Sequence, residues 1–389
     1  MEVYILDTLY RRIEIVDVFD SLIWTERWQA YGEFQLDLPY SYQNSTRFYP
    51  GALLAINLSH RVMVVETIEK TWIDGQRRMK LTGTSLEKIL DGRAFADDID
   101  DGGTASLQGT PGDIMREVAD FALRNSGDSS DALALLGVGT FLESGNMPEP
   151  TNTIKLEEEP QSAYSILTKL AQAYDLGFRL VREYDTSSLY FDVYTGSNRI
   201  STQQDLSPLI FQPNMGNLND ITELESIANY ANVAHVYAEF GSVVVYDRYD
   251  DNDDPIEKTN IQRRVIVVNA SPDPESTTYT QDLIDAGKRA LAERRRVEMF
   301  DGEVDIHADL TYDVDYSLGD QVEIRSDDGA VTYKRITEQV FIEDGQGERA
   351  YPTFSSGLYL EQDTWRDRAA DDTTWDDLDA DDLVWADLE

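Results

Sequence analysis

The chain has no cysteine, three histidines and only eight lysines in 389 residues. The missing cysteine excludes disulfides, thiol catalysis and cysteine metal sites, and leaves the redox compartment open. His60, His235 and His307 have no second histidine at ligand spacing, so each reads as structural or exposed and not as a metal ligand. No apolar run approaches the length of a membrane span. Met1 to Tyr4 carries neither a basic segment nor a signal-peptide core, which predicts a soluble protein without a visible secretion signal. A Gly–x–Ser–x–Gly elbow and a phosphate loop are also missing from the sequence.

Positive charge is scarce and acid is abundant. Asp and Glu total 74 against 33 Lys and Arg, a net charge of −41. Asp (46) outnumbers Glu (28), and Arg (25) outnumbers Lys. Such a surface repels itself in dilute salt, and the repulsion fades when the Debye length shrinks to about 3 Å in molar salt. Acid-rich, lysine-poor surfaces suit salt-saturated cytoplasms, so the composition points to a halophilic host. The alternative is a channel wall kept acidic so that DNA slides past it. Direct, specific nucleic-acid binding is disfavoured, because phosphate neutralisation needs basic patches.

Residues 22–39 are the most informative stretch. Trp24 and Trp28 flank Glu26–Arg27, Tyr31–Gly32 makes a break, and Phe34, Leu36 and Leu38 then alternate with Glu33, Gln35 and Asp37 up to Pro39. Period-two alternation predicts a strand with one buried face. The Trp–x–x–x–Trp, then Gly, then Phe–x–Leu–x–Leu–Pro order resembles tail-hub (minor tail) proteins of long-tailed siphoviruses. The likeness runs over roughly residues 1–355. It continues through Tyr49-Pro50-Gly51 before Ala52 to Ile56, Tyr174-Asp175-Leu176-Gly177-Phe178, Asp192-Val193-Tyr194-Thr195-Gly196 with Arg199, and Ile210-Phe211, Gly216-Asn217-Leu218 and Asn232-Val233. The resemblance implies a ring-forming structural protein at the end of the tail tube, without covalent chemistry in the hub. Combined with the charge, it points to a haloarchaeal tailed virus.

The patterning predicts an α+β, mainly β chain in four parts. Residues 1–95 read as a first antiparallel barrel, with strands at 3–6, 13–18, 22–28, 34–38, 52–58, 61–73 and 77–83 and a short helix at 85–90. Residues 96–215 read as an inserted small α/β domain. In it, 96–110 is a polar loop, one helix opens at Thr110–Pro111, another spans 161–174, and a hairpin covers 177–184 and 188–195. Residues 216–357 read as a second barrel, with strands at 233–240, 243–246, 261–268, 302–311, 320–325, 331–343 and 349–354 and a helix at 279–297. Gly51 to Ile56 parallels Gly319 to Ile324, each followed by a long strand and then by Asp74-Gly75-Gln76 or Asp344-Gly345-Gln346. This suggests an internal repeat; shared turn chemistry without common ancestry is the alternative. Three copies of two related, tail-tube-like barrels would present six similar units to a six-fold tube.

Residues 358–389 form an acidic tail. Trp365, Trp375 and Trp385 recur every ten residues, accompanied by Leu378, Leu383 and Leu388 among twelve acids and two arginines between 361 and 389. Such a segment cannot fold alone. It reads either as a solubilising tail or as a docking tail whose tryptophans anchor in a partner's pockets.

No carboxylate pair stands out as a glycosidase site. Asp97 to Asp101 and Asp250 to Asp254 miss the spacing of a calcium loop and read as solvated turns. Arg294-Arg295-Arg296 suits a helix C-terminus better than nucleic acid. The sequence thus predicts no catalytic, cofactor or metal residues. The expected protein is a homotrimeric baseplate hub at the virion tail tip, assembled in the host cytoplasm. Its expected partners are the distal tail ring protein, the tail tube protein, the tape measure protein and receptor-binding tail-tip proteins, and it would gate the channel for genome ejection. A host-glycan adhesin and a tail-associated lysin are the alternatives.

Overall fold

The computed structural model describes residues 1–73, 75–96, 103, 105–125, 132–133, 141–144, 147–183, 188–203, 205–215, 217, 219–249, 255–272, 278–294, 297–303, 310–325 and 331–355. The first block contains β1 (Val3–Leu6), β2 (Arg12–Val16), β3 (Ser21–Arg27), β4 (Glu33–Pro39), α1 (Tyr42–Arg47), β5 (Leu53–Ile56), β6 (Met63–Ile73) and β7 (Gln76–Ser85). A middle block follows with β8 (Ala94–Phe95), β9 (Ala105–Gly109), α2 (Pro111–Asp120), β10 (Phe141–Ser144), β11 (Ile154–Glu158), β12 (Gln161–Ser162), α3 (Ala163–Tyr174), β13 (Gly177–Arg182) and β14 (Leu189–Tyr194). The last block holds β15 (Ile210–Phe211), β16 (Asn219–Ser226), β17 (Val233–Ala238), β18 (Gly241–Tyr246), β19 (Val265–Asn269), α4 (Tyr279–Ala292), β20 (Val297–Glu303), β21 (Gln321–Arg325), β22 (Val331–Asp344) and β23 (Gly347–Ser355).

The first and last blocks share one 13-stranded sheet. Its first half runs β3-β4-β7-β6-β5 and its second half β16-β20-β23-β22-β21, with every neighbour antiparallel. In chain order both halves therefore use the same path. The matches are local as well. Gly51 and Gly319 take φ of +93° and +89°, a region that favours glycine. Gly51 N–H donates to the Val65 carbonyl (2.7 Å) and Val65 N–H to the Ala52 carbonyl (2.8 Å). Gly319 N–H donates to the Ile336 carbonyl (2.8 Å) and Ile336 N–H to the Asp320 carbonyl (3.0 Å). The register then slips between Val65 and Thr67 in one half and between Ile336 and Glu338 in the other. The hairpins close on Ile73↔Gln76 and Asp344↔Gly347, so the two turns fall one position out of the alignment expected from Asp74-Gly75-Gln76.

Two barrels were expected. Among the described residues neither half closes on itself; instead β3 pairs β22 and joins the halves edge to edge. One core runs under both, from Leu22, Trp24, Phe34, Leu36 and Leu38 to Phe211, Tyr316, Val322, Ile336, Phe341 and Phe354. β4 contributes to this core as its alternation predicted: its three apolar side chains all lie on the buried face.

The middle block packs against the opposite side of β1 and β5. Its helices meet Tyr4, Leu6 and Ala55 through Ile114, Met115, Val118, Ile166, Leu167 and Leu170. Thr110 caps α2 by accepting the Asp113 N–H at 3.2 Å, as Thr110–Pro111 predicted. The polar loop expected over 96–110 contains β9, which pairs β11. A third core, with Ala234, Val236, Val245, Leu283 and Leu291, sits between α4 and a three-stranded sheet, β18-β17-β19. This unit is inserted between β16 and β20, where the first half has only the short turn between β3 and β4. The helix expected to reach 297 stops at Ala292, and Val297 opens a strand. The strand expected from 261 starts at Val265, because Asn260 adopts φ +53° in a short turn.

Candidate assembly junction

A buried polar network lines the seam between the halves. Register runs from Arg27↔Glu338 to Leu22↔Glu343, with Trp24 opposite Phe341 and Glu26 opposite Gln339. On the outer face Arg27 reaches Glu338 at 2.7 Å and Glu33 at 3.3 Å. On the inner face Trp24 and Phe341 are buried, and the Trp24 Nε1–H donates to Glu26 at 3.2 Å.

Glu26 is fully buried and gathers partners from distant parts of the chain. It accepts from the Ser59 hydroxyl and, at 3.0 Å, from the Tyr312 hydroxyl of the second half. Arg61 lies 3.9 Å away, but its guanidinium is already paired with Glu87. Glu87 also accepts the Leu180 N–H of β13 at 2.8 Å, which ties in the middle block. Burial raises the Glu26 pKa, and Arg61 only partly offsets this. Burial works against the Arg61 charge too, yet Glu87, then Tyr194 and Glu26, more than compensate and raise its pKa. Burial likewise raises the Tyr312 hydroxyl.

A second knot lies beside the first. Arg335 of β22 is 1% exposed, pairs with Asp175 at 2.5 Å, donates to the Thr195 carbonyl at 3.0 Å and stacks 4.6 Å above the Trp28 ring. Asp175 ends α3 in the left-handed region, φ +57°. Glycines make the room. A Cβ on Gly177 would lie 2.0 Å from Trp28 Nε1, and one on Gly319 2.9 Å from it. Asp320 accepts the Ser197 N–H at 2.7 Å and the Arg199 Nε–H at 3.1 Å, and burial raises its pKa.

Part of the family resemblance thus converges: Trp28, Asp175, Gly177, Gly196 and Arg199 gather around Arg335, Gly319 and Asp320, and Trp24 lies on the seam. Sequence reasoning missed Arg61, Glu87 and Arg335, since an isolated charge carries no signal of its own burial. His60 is a turn residue whose Nδ1 lies 3.3 Å from the Arg182 carbonyl. His235 sits on β17, and His307 lies outside the described residues. The predicted docking residues Trp365, Trp375, Trp385, Leu378, Leu383 and Leu388 also lie outside them, as do both Asp clusters. Among the described residues no group of three or more acids or histidines could hold a metal, and no helix is long and apolar enough to cross a membrane.

The fold is similar to that of a tail protein from Neisseria meningitidis, with a TM-score of 0.57 and 12% identity over 91% of this chain and 96% of that one. It is also similar to the 43 kDa tail protein of prophage MuSo2 from Shewanella oneidensis, with a TM-score of 0.52 and 12% identity over 92% and 98% of the two chains. At such identities the likeness is one of fold. No curated protein matches the chain. The family described as Siphovirus ReqiPepy6 Gp37-like protein matches residues 2–246 and 252–354. That match takes in both halves of the large sheet, the middle block and every junction residue named above, and the chain belongs to this family.

Proposed function

We propose that this protein is a structural hub of the virus tail tip, in which three copies form a ring around a channel. The observation that carries the reading is the duplicated strand path. Two related half-sheets per chain give six per trimer, so a three-fold assembly can meet a six-fold tube. Barrel closure is then a property of the ring and not of one chain. The outer sheet face forms a shallow concavity beside the seam, whose polar lining includes Glu33, Gln35, Glu66, Thr82 and Thr84 beside Ile23 and Phe34. Facing the channel, such a wall would let DNA and the tape measure protein pass without sticking during genome ejection.

In this reading one ring face meets the distal tail ring and tail tube proteins, and the other meets receptor-binding proteins. The Trp-bearing tail supplies one of these contacts, and the hub performs no covalent chemistry. A high charge suited to molar salt supports a haloarchaeal virus as the source. Native mass spectrometry from concentrated ammonium acetate is expected to give a trimer, and a stable monomer would overturn the ring. Gold-labelled antibody is expected at the tail tip of intact particles. Label on the capsid, or activity in a muralytic assay, would replace the hub reading.

A further inference from the structure

We propose that β16 of one copy pairs antiparallel with the open edge of β6 in the next, setting Glu223 opposite Lys70. This rests on the ring reading above.

Along one edge β22 carries two partners: β21 over Val331–Arg335 and β3 over Glu338–Glu343. β6 is its counterpart. β5 covers only Met63 and Val64 on the matching edge, and beyond the shared register slip that edge has no strand partner among the described residues. β16 is the counterpart of β3. It pairs β20 on one side, as β3 pairs β4, and has no second partner among the described residues. Among the described residues, the two edges that correspond to the β3–β22 seam thus have no strand partner. A bare edge of main-chain N–H and C=O groups is a template for pairing. A head-to-tail contact of this kind closes a ring when the rotation permits.

The register transfers residue by residue. The bulges align Val65 with Ile336 and Thr67 with Glu338. The pairings Phe34↔Gly83 and Phe300↔Phe354 align β4 with β20, and Trp24↔Phe34 and Glu223↔Phe300 then align Trp24 with Glu223. Trp24↔Phe341 therefore becomes Glu223↔Lys70, and Ile23↔Ile342 becomes Thr222↔Thr71. An aromatic pair inside the chain is replaced between chains by a pair of opposite charges. Two positions along β6 from Lys70 stands Trp72, 66% exposed.

The absence of cysteine makes the test clean. Thr71→Cys with Thr222→Cys, oxidised at micromolar protein, is expected to give covalent dimers and trimers on reducing-agent-free gels, since paired strands bring Cα atoms to about 5 Å. Glu69→Cys with Thr222→Cys, two positions out of register, is the control and is expected to cross-link far less. Lys70→Glu and Glu223→Lys are each expected to weaken association by roughly threefold per seam, and the double reversal to restore it. A trimer by native mass spectrometry without the Thr71–Thr222 cross-link, or with equal cross-linking in the control, would overturn this seam and leave the ring standing. A monomer under every condition would overturn the ring itself. Hydrogen exchange of the unsubstituted protein gives a second readout. Amides of 67–73 are expected to be protected in the oligomer and open on dilution, and equal exchange in both states would also overturn the seam.

Discussion

The Arg335 guanidinium lies 4.6 Å from the centroid of the Trp28 ring, a cation of the second half-sheet resting on an aromatic of the first. Its other face of contact is Asp175, and both charged side chains are almost wholly buried. Arg335→Ala would leave that carboxylate unpaired in the interior. The expected loss is about 3–5 kcal/mol, read by thermal or chemical unfolding. Arg335→Lys is expected to recover little, because a point charge cannot stack on Trp28 and bond Asp175 and Thr195 together. A full rescue by lysine would contradict this geometry.

Gly177 is the tightest contact on Trp28. Gly177→Ala would drive a methyl group to 2.0 Å from Nε1 of a ring held by Arg335 on one side, so neither partner can yield cheaply. A loss of about 1–3 kcal/mol is expected from overpacking. Trp28→Phe in the Ala background should recover part of it, measured as a double-mutant cycle.

Glu26 sets a pH dependence. Burial, the largest influence, raises its pKa above the ordinary value of 4.5, with Arg61 opposing. A carboxyl whose pKa rises on folding holds its proton more tightly in the native state. Its contribution to stability is full below the unfolded value and is lost as pH rises through the folded one. Glu26→Gln removes the titration while keeping the shape. Denaturation between about pH 4 and about pH 8 is expected to show the variant gaining on the parent as pH rises. Parallel profiles would show that Glu26 does not titrate differently in the two states.

Net charge sets a salt dependence. With −41 on the chain, moving from about 0.1 M to about 1 M potassium chloride shortens the Debye length from ~10 Å to ~3 Å and relieves self-repulsion. The unfolding temperature is expected to climb steadily across that range. A flat or falling curve would argue against a halophilic source.

Removing residues 358–389 is expected to leave the unfolding temperature within about 2 °C of the parent while abolishing capture of other tail proteins in pull-downs from virion extracts. Unchanged capture would reduce the segment to a solubilising tail.

Much of the large sheet was legible because its strands obey period two. Phe34, Leu36 and Leu38 announce β4, and Thr110–Pro111 announces α2, through local rules. The repeat was legible at Gly51 and Gly319, where positive φ demands glycine. The joining of the halves was not. Nothing in Trp24 or Phe341 says that each will meet the other, and the sequence between them contains two further cores. Arg61, Glu87 and Arg335 were missed for a related reason: a charge is assumed to seek water unless its partner is known, and their partners lie 26 to 160 positions away in the chain. The short α1 and the β9–β11 pair went unseen because neither has a strong periodic pattern of its own.

The Arg27–Glu338 contact spans 311 positions of sequence. A ribosome adding 5–20 residues per second would need roughly 15 to 60 s to travel between them. Throughout that interval β3 emerges before its own partner has been made, with its hydrogen-bonding edge on offer to any nascent neighbour. The β3–β22 seam therefore cannot close until the C-terminal third of the chain has been made.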